Sequence, residues 1–413
     1  MIKIVLTNDI VKRISAIDEN RFKMNTIHIP HRIADHLRKI SKKKSSYASN
    51  KIEGNPLSEQ QANEVVEQDL HRHFLKPEQE VRNYYMALQV LEEKAKQNVP
   101  FSKELILEIQ ALVEKGASEE KIGLRGEMPP GFLFAVYDSE SGEAEYIPPE
   151  YCDIPELLDE LVEYVNTTDD HPLIVAAIVH YQLVTIHPFE DGNGRTARLM
   201  SGYVLTQRGY GFHGIGSLEE YFAYDADEYY QSLQMGLPAL YYSGRENPPH
   251  PEIWFDYFLR MVELYSTKVC EISEENETQS LYTSLSHLRP REKEFLAFLL
   301  QNHIYEFTPI DVSKMLGITN RTVINRCTKL AENGFAVPVI VKERIRSYKL
   351  SDYSKLNEQE IQNKIMQVYG VLVTMFTRTL HCEEVLQRIY EAFQDKVFHS
   401  VISRSIKLPD ATV

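Results

Sequence analysis

Cysteine is scarce in this chain. There are 4 in 413 residues, Cys152, Cys270, Cys327 and Cys382. They lie far apart and lack the paired spacing of a metal module, so buried free thiols in a reducing compartment are the expectation. Tryptophan is scarcer still. Trp254 is the only one, set among Ile253, Phe255, Tyr257 and Phe258 on a helical stretch that reads as core and runs to about Lys268. No apolar run approaches the ~20 residues needed to cross a bilayer. The stretch Met1 to Asp9 holds too short an apolar run for a signal peptide. Basic residues are outnumbered, 45 Lys+Arg against 60 Asp+Glu, for a net charge of −15. That balance argues against a general nucleic-acid or membrane-surface binder and leaves only local basic patches open. Internal repeats and low-complexity tracts are absent. The chain therefore reads as cytoplasmic, with no membrane partner.

What is present suffices for ordinary packed cores, at 43% hydrophobic residues. The length suggests two or three domains. Most of the pattern is helical. One stretch stands out: His187-Pro188-Phe189-Glu190-Asp191-Gly192-Asn193-Gly194-Arg195-Thr196-Ala197-Arg198. An apolar helical segment from Leu173 to Ile186 precedes it, and another from Thr196 to Gln207 follows. The stretch is thus a loop whose last residues open a helix. His187 titrates near neutral pH without help. Asp191 is a hard oxygen ligand of the kind Mg²⁺ takes. Gly192-Asn193-Gly194 can adopt backbone angles closed to other residues and turn N–H groups toward an anion, at the positive end of a helix dipole. Arg195 and Arg198 share one face of the first turn, where the dipole disfavours them by about 0.3–1 kcal/mol each. A ligand with several phosphates would account for that placement. A base, a metal ligand, an anion cradle and two arginines make a phosphoryl- or nucleotidyl-transfer set.

These residues resemble the signature of the Fic family, His-x-Phe-x-(Asp/Glu)-Gly-Asn-Gly-Arg-x-x-Arg, with every fixed position filled. The resemblance implies a Fic/Doc fold and a protein adenylyltransferase that moves AMP from ATP onto a Tyr, Ser or Thr hydroxyl of a target protein, or of itself. By matched position, His187 would take the proton of the hydroxyl and Asp191 would hold Mg²⁺. Asn193, Arg195 and the backbone of Gly192 and Gly194 would bind the α- and β-phosphates, and Arg198 the γ-phosphate. Tyr229 and Tyr230 match a tyrosine pair of which one ring lies near adenine, with core packing the equal alternative. Further on the family often has an asparagine where this chain reads Met235-Gly236-Leu237.

Upstream, Ser49-Asn50-Lys51-Ile52-Glu53-Gly54 is similar to the family's inhibitory helix. Taken alone it is a helix end with an exposed glutamate. Beside the signature it implies that Glu53 pairs with Arg198 and blocks productive ATP binding, with Ser49 one turn away on the same face. Phe132 to Tyr137 and Ala144 to Ile147 read as a hairpin, either a plain surface hairpin or the family's target-docking flap, with Phe132, Leu133, Phe134, Ala135 and Val136 as its docking residues. Within the helix before His187, His180 and Tyr181 read as core. Residues 1–30 show no strong periodicity. His31 to Lys44 reads as a helix ending in basic residues, with Ser45 or Ser46 capping a second, short helix that Gly54 ends. Leu57 to Lys96 reads as continuous helix.

Residues 272–286, rich in Glu, Ser, Thr and Asn, read as a linker. Beyond them come a helix (Pro290 to Asn302), two short helices around Gly317-Ile318, and strands Ala336 to Val341 and Ile345 to Leu350. This is a winged helix-turn-helix pattern. Its candidate DNA contacts are Arg321, Asn325, Arg326, Lys329 and Arg344, with protein contact or dimer packing as the alternative use. The fold class is therefore mainly α. A Fic-type helical bundle with a small β-hairpin flap is followed by a winged helix-turn-helix and a helical tail. The expected regions are 1–70 with the inhibitory helix at 45–55, the catalytic core at 71–271, the linker, the winged region at 287–351, and the tail at 352–413. Alternatives within the enzyme class are removal of AMP and transfer of another nucleotide. Outside it stands a DNA-binding regulator with a sensory or silent Fic domain. A homodimer is the expected assembly.

Overall fold

In the computed structural model, the described residues run from 2 to 350 apart from residues 3, 5, 28, 30, 69–72, 133, 138–141, 143, 238–247 and 342–343, with residues 374–376 and 402–403 beyond. The chain divides into two compact units, Met1–Glu277 and Thr278–Val413.

The first unit is helical. It opens with α1 (Asn8–Thr26), a helix in a stretch without strong periodicity. Its signals are nonetheless local: the Thr7 hydroxyl accepts from the Ile10 N–H at 3.2 Å, and Ile10, Ile17 and Met24 recur on one buried face. Next, α2 spans His31–Ile52 without a break, where two helices were expected. Ser41 and Ser46 donate back to the Leu37 and Lys42 carbonyls at 2.7 Å each, so these hydroxyls lie inside a helix and cap none. Gly54, at φ +79°, does end it. The expected continuous helix from Leu57 to Lys96 is instead α3 (Glu59–Glu67), opened by a Ser58–Gln61 capping box, and α4 (Lys76–Lys96), opened by Pro77.

Then come α5 (Lys103–Glu114), a 3-10 turn (Glu119–Lys121), and strands β1 (Val136–Tyr137) and β2 (Ala144–Tyr146), which pair antiparallel. The hairpin is shorter than expected, with Phe132, Phe134 and Ala135 outside the strand and Leu133 outside the described residues. Helices α6 (Ile154–Thr167), α7 (Pro172–Ile186), α8 (Asn193–Gln207), α9 (Glu219–Tyr224) and α10 (Ala226–Gln234) follow. Helix α7 is apolar all round and buried on nearly every side, as a central helix must be. Trp254 donates its indole N–H to the Ala177 carbonyl at 2.9 Å, and the Ser201 hydroxyl donates to Ala176 at 2.8 Å. One hydrophobic core runs from Ile2 to Cys270, so residues 1–70 share it with the segment expected as the catalytic core.

The last helix, α11, spans Pro251–His287. Residues 272–286, expected as a linker, are therefore helical. They are polar, but no glycine or proline interrupts them, and polarity alone does not break a helix.

The second unit has its own core around Phe295, Leu299, Val323, Leu330 and Tyr348. It consists of α12 (Pro290–Gln301), β3 (Glu306–Phe307), α13 (Pro309–Leu316), α14 (Asn320–Glu332), β4 (Ala336–Val341) and β5 (Arg344–Leu350). The strands form an antiparallel sheet in the order β3-β5-β4. Most of the expected helical tail lies outside the described residues. What is described of it is not helix but two short parallel strands, β6 (Thr374–Phe376) and β7 (Ile402–Ser403), in line with the β-prone Thr, Phe and Ile they carry. Of the cysteines, Cys270 and Cys327 are buried as expected. Cys152 is exposed, because it sits in the turn before α6 and not on a packed face. Among the described residues no helix is long and apolar enough to cross a membrane.

Candidate active site

The loop between α7 and α8 is fixed by its own side chains before any ligand is considered. His187 ends α7 in the left-handed region, φ 49° and ψ 56°. Phe189 is buried at 1% exposure and forms a β-bridge with Leu124. The Asn193 amide N–H donates to the Phe189 carbonyl at 2.9 Å, and its oxygen accepts from the Phe189 N–H at 3.0 Å. The signature asparagine therefore closes the loop through both polar ends of its side chain.

The two glycines each seat a carboxylate. Gly192 has φ +79°, and a β-carbon there would lie 2.5 Å from Glu114 Oε1. A β-carbon on Gly194 would collide with Glu53 Oε1. Each missing side chain leaves room for a glutamate from another segment, Glu114 of α5 and Glu53 of the turn after α2.

Those glutamates explain why two arginines can sit buried at a helix start. Arg195 is 3% exposed and donates through Nη2 to Glu114 Oε1 at 2.9 Å and to Asp191 Oδ1 at 3.2 Å, with Glu80 Oε1 at 3.9 Å. Glu114 is fully buried. Burial pushes its carboxyl up to about 7; Arg195 opposes the shift, and Asp191 and Glu80 add to it. Arg195 is thus the counter-ion of three carboxylates, one of them in the loop itself.

Arg198, also 3% exposed, turns the other way. Its Nη2 meets Glu53 Oε1 at 2.6 Å and the Ser49 carbonyl at 3.1 Å, and its Nε donates to Ser49 Oγ at 2.8 Å. Burial works against its charge, but Glu53 together with Tyr229, Tyr84 and Tyr230 outweighs that, and the guanidinium pKa is raised. Tyr229 is 1% exposed, with its hydroxyl 3.4 Å from Arg198 Nη1 and 3.2 Å from His180 Nε2. Tyr230 is 46% exposed, and its hydroxyl donates to the Ile52 carbonyl at 3.3 Å. The core alternative therefore holds for Tyr229, while Tyr230 stays at the surface. His180 stacks on Trp254 at 4.8 Å between ring centres, and burial holds its pKa well below the ordinary value. Met235 is fully buried and ends α10 at φ 46°.

His187 is partly exposed. Its Nδ1 lies 3.2 Å from the Val184 carbonyl, which makes Nδ1 the protonated nitrogen and leaves Nε2 as an acceptor. Burial lowers its pKa to about 4; the Val184 contact opposes this and Arg125 adds to it. The ring is therefore neutral at physiological pH. Phe134 lies 5.9 Å away, with the Arg125 guanidinium 4.7 Å over the Phe134 ring.

Asp191 is held on both oxygens. Oδ1 accepts from the Gly192 N–H at 2.8 Å and from Arg195, while Oδ2 meets Lys121 Nζ at 3.0 Å. Burial pushes its pKa up, but the Lys121 hydrogen bond and the Arg195 charge prevail, so it lies below the usual range. Among the described residues no group of three or more His, Cys, Asp or Glu could hold a metal by itself. A lone carboxylate fits Mg²⁺ arriving on nucleotide phosphates, since that ion is commonly held by one or two protein carboxylates plus phosphate oxygens.

Several residues of this site carry no sequence signal. Arg125 is 5% exposed; it donates to the His187 carbonyl at 2.8 Å and to the Pro149 carbonyl, and its N–H reaches the Pro188 carbonyl at 2.9 Å. Glu114, Glu80, Gln110 and Lys121 are likewise ordinary helix or turn residues until the fold brings them to the loop. The candidate DNA contacts belong to the other unit. Arg321, Asn325 and Arg344 are exposed there. Arg326 covers the Phe295 ring at 5.7 Å, and Lys329 pairs with Glu332 at 2.5 Å.

Residues 100–205 match the Fic/DOC family. The protein adenylyltransferase Fic of Drosophila mojavensis is 27% identical over 212 residues, which is 48% of this chain and 38% of that protein. Its counterpart in Drosophila grimshawi is 26% identical over 212 residues, 48% of this chain and 40% of that protein. The chain thus spans about two fifths of the length of these curated relatives. Among solved structures, a Fic family protein from Desulfovibrio desulfuricans G20 aligns with a TM-score of 0.54 at 20% identity, over 85% of this chain and 98% of that one. At that identity the likeness is one of fold.

Proposed function

Starting from a chain that is a Fic family protein by the match at residues 100–205, we propose that it transfers AMP from ATP to a hydroxyl of a protein target and that Glu53 restrains this activity. The observation that carries the reading is the Arg198–Glu53 ion pair at 2.6 Å, seated against Gly194 in a loop that also presents a neutral histidine.

The chemistry follows from the side chains. The target hydroxyl gives its proton to His187 Nε2, whose lone pair is free because Nδ1 faces the Val184 carbonyl. The hydroxyl oxygen forms a bond to the α-phosphorus in line, the bond to the β-phosphate oxygen breaks, and pyrophosphate leaves with the electron pair. The N–H groups opening α8 favour the phosphates through the helix dipole. Asp191 is the residue to hold Mg²⁺, which when bound neutralises phosphate charge. Arg198, freed from Glu53, is the cation for the γ-phosphate. Arg195 pairs with Glu114 and with Asp191 of the loop itself, and these contacts hold the loop's shape. The exposed Phe132 ring and the outer edge of β1 support target docking by strand addition.

The test is label transfer with Mg²⁺ and ATP labelled at the α-phosphate. The expected result is protein label with Glu53→Gly, faint label with the wild type, and none with Glu53→Gly/His187→Ala. No label in any lane, with cell lysate supplied as target, refutes AMP transfer. Equal label with wild type and Glu53→Gly keeps the chemistry and removes the restraint.

A further inference from the structure

We propose that Lys121 is the resident counter-ion of Asp191, standing in for the metal's charge while no metal is bound and passing to a phosphate oxygen when a metal-free nucleotide enters. The inference rests on the nucleotide-binding reading above.

The geometry points to a built arrangement. Lys121 ends the 3-10 turn between α5 and β1, and its ammonium lies 3.0 Å from Asp191 Oδ2. The turn is tied to the signature loop by one buried side chain, Gln110. Its amide N–H groups donate to the Lys121 carbonyl at 3.0 Å and to the Asp191 carbonyl at 3.3 Å, and its oxygen accepts from the Gly123 N–H at 3.0 Å. The backbone of Lys121 is thereby held relative to that of Asp191. On either side, Gly116 at φ +68° and Gly123 at φ +101° shape a segment that few other residues could follow.

The charges give the arrangement its sense. Asp191, Glu114 and Glu80 surround one arginine at the base of the loop, and Arg198 is engaged with Glu53. The Lys121 side chain is 34% exposed and that of Asp191 30% exposed, so solvent reaches this pair. A nucleotide arriving without metal would meet an acidic loop. The Lys121 ammonium is a strongly hydrated point charge on a flexible stem, able to move a short distance from carboxylate to phosphate. When a divalent ion takes the carboxylate oxygen, Lys121 becomes dispensable.

The experiment is calorimetric titration with ADP, which lacks the γ-phosphate that Glu53 opposes, in EDTA and in saturating Mg²⁺. Lys121→Met keeps the stem and removes the charge. It is expected to weaken ADP binding in EDTA by roughly tenfold, the size of one charge-assisted contact, and to leave binding in Mg²⁺ nearly unchanged. Lys121→Arg should restore the EDTA affinity. Equal weakening in both buffers would mean a structural role and overturn the inference, as would no effect in either. If wild-type protein fails to bind ADP at all, the nucleotide reading itself fails and takes this inference with it.

Discussion

Replacing Glu53 with alanine should make the protein less stable and more active by amounts that correspond. Arg198 is 1% exposed at its side chain and Glu53 is 32% exposed, with 2.6 Å between them. An exposed pair contributes about 0.2–1 kcal/mol, whereas stripping a buried charge of its partner costs about 3–5 kcal/mol. Glu53 is one-third open to water, and Arg198 keeps Ser49 Oγ, the Ser49 carbonyl and the Tyr229 hydroxyl. The cost should fall between, at about 1–2 kcal/mol. For a unit of this size that lowers Tm by roughly 3–6 °C. The same free energy opposes productive ATP binding, because the pair must open before Arg198 can meet the γ-phosphate. A penalty of 1–2 kcal/mol corresponds to roughly 5- to 30-fold in kcat/KM. The assay pairs nucleotide-free thermal unfolding with label-transfer kinetics on the same Glu53→Ala preparation. Alanine is chosen so that added backbone freedom does not confuse the stability reading. A fall in Tm without a gain in activity would mean that the contact is only structural. A gain without a fall would mean that the restraint does not run through this ion pair. Either result refutes the reasoning.

Two further predictions concern the loop and its base. His187 has its pKa lowered from 6.5 to about 4, so it loses its proton at lower pH than an ordinary histidine. Activity of the released Glu53→Gly protein should hold down to about pH 4–5 and then fall. Because Arg125 contributes to the lowering, Arg125→Gln should move that acid limb upward, as read from kcat/KM against pH; a limb near 6.5 in the Arg125-intact protein would contradict the burial argument. By linkage, the unfolded chain takes up the His187 proton first as pH falls through 6.5, so this residue subtracts stability increasingly from 6.5 down to about 4, keeps that full penalty below, and is neutral to stability above 6.5. Gly192→Ala and Gly194→Ala should separate by their neighbours. The first combines a strained φ of +79° with a clash against buried Glu114, and should unfold the unit at least about 2 kcal/mol more easily. The second displaces Glu53, which is partly exposed and can move, so its stability loss should be the smaller of the two by denaturant titration.

The sequence alone determined whatever depends on neighbours along the chain. The signature loop, the helices on either side of it, the stop at Gly54 and the hairpin position all follow from period, capping and glycine angles, and these are local. Glu53 and Arg198 could be paired in advance because both lie in recognisable segments. Local signals fail at 272–286, where polar residues continue a helix, and at Ser46, whose hydroxyl bonds back within one long helix and caps none. Tertiary structure alone decided which other charges meet. Glu114, Glu80, Lys121, Gln110 and Arg125 sit at ordinary positions in their own segments, and only packing brings them around Asp191, Arg195 and His187. It also turned Tyr229 inward to Arg198 and left Tyr230 outside, two adjacent residues on one helix. The reason is physical: a propensity belongs to a residue and its immediate neighbours, but a counter-ion belongs to whichever chain segment the fold places within about 3 Å.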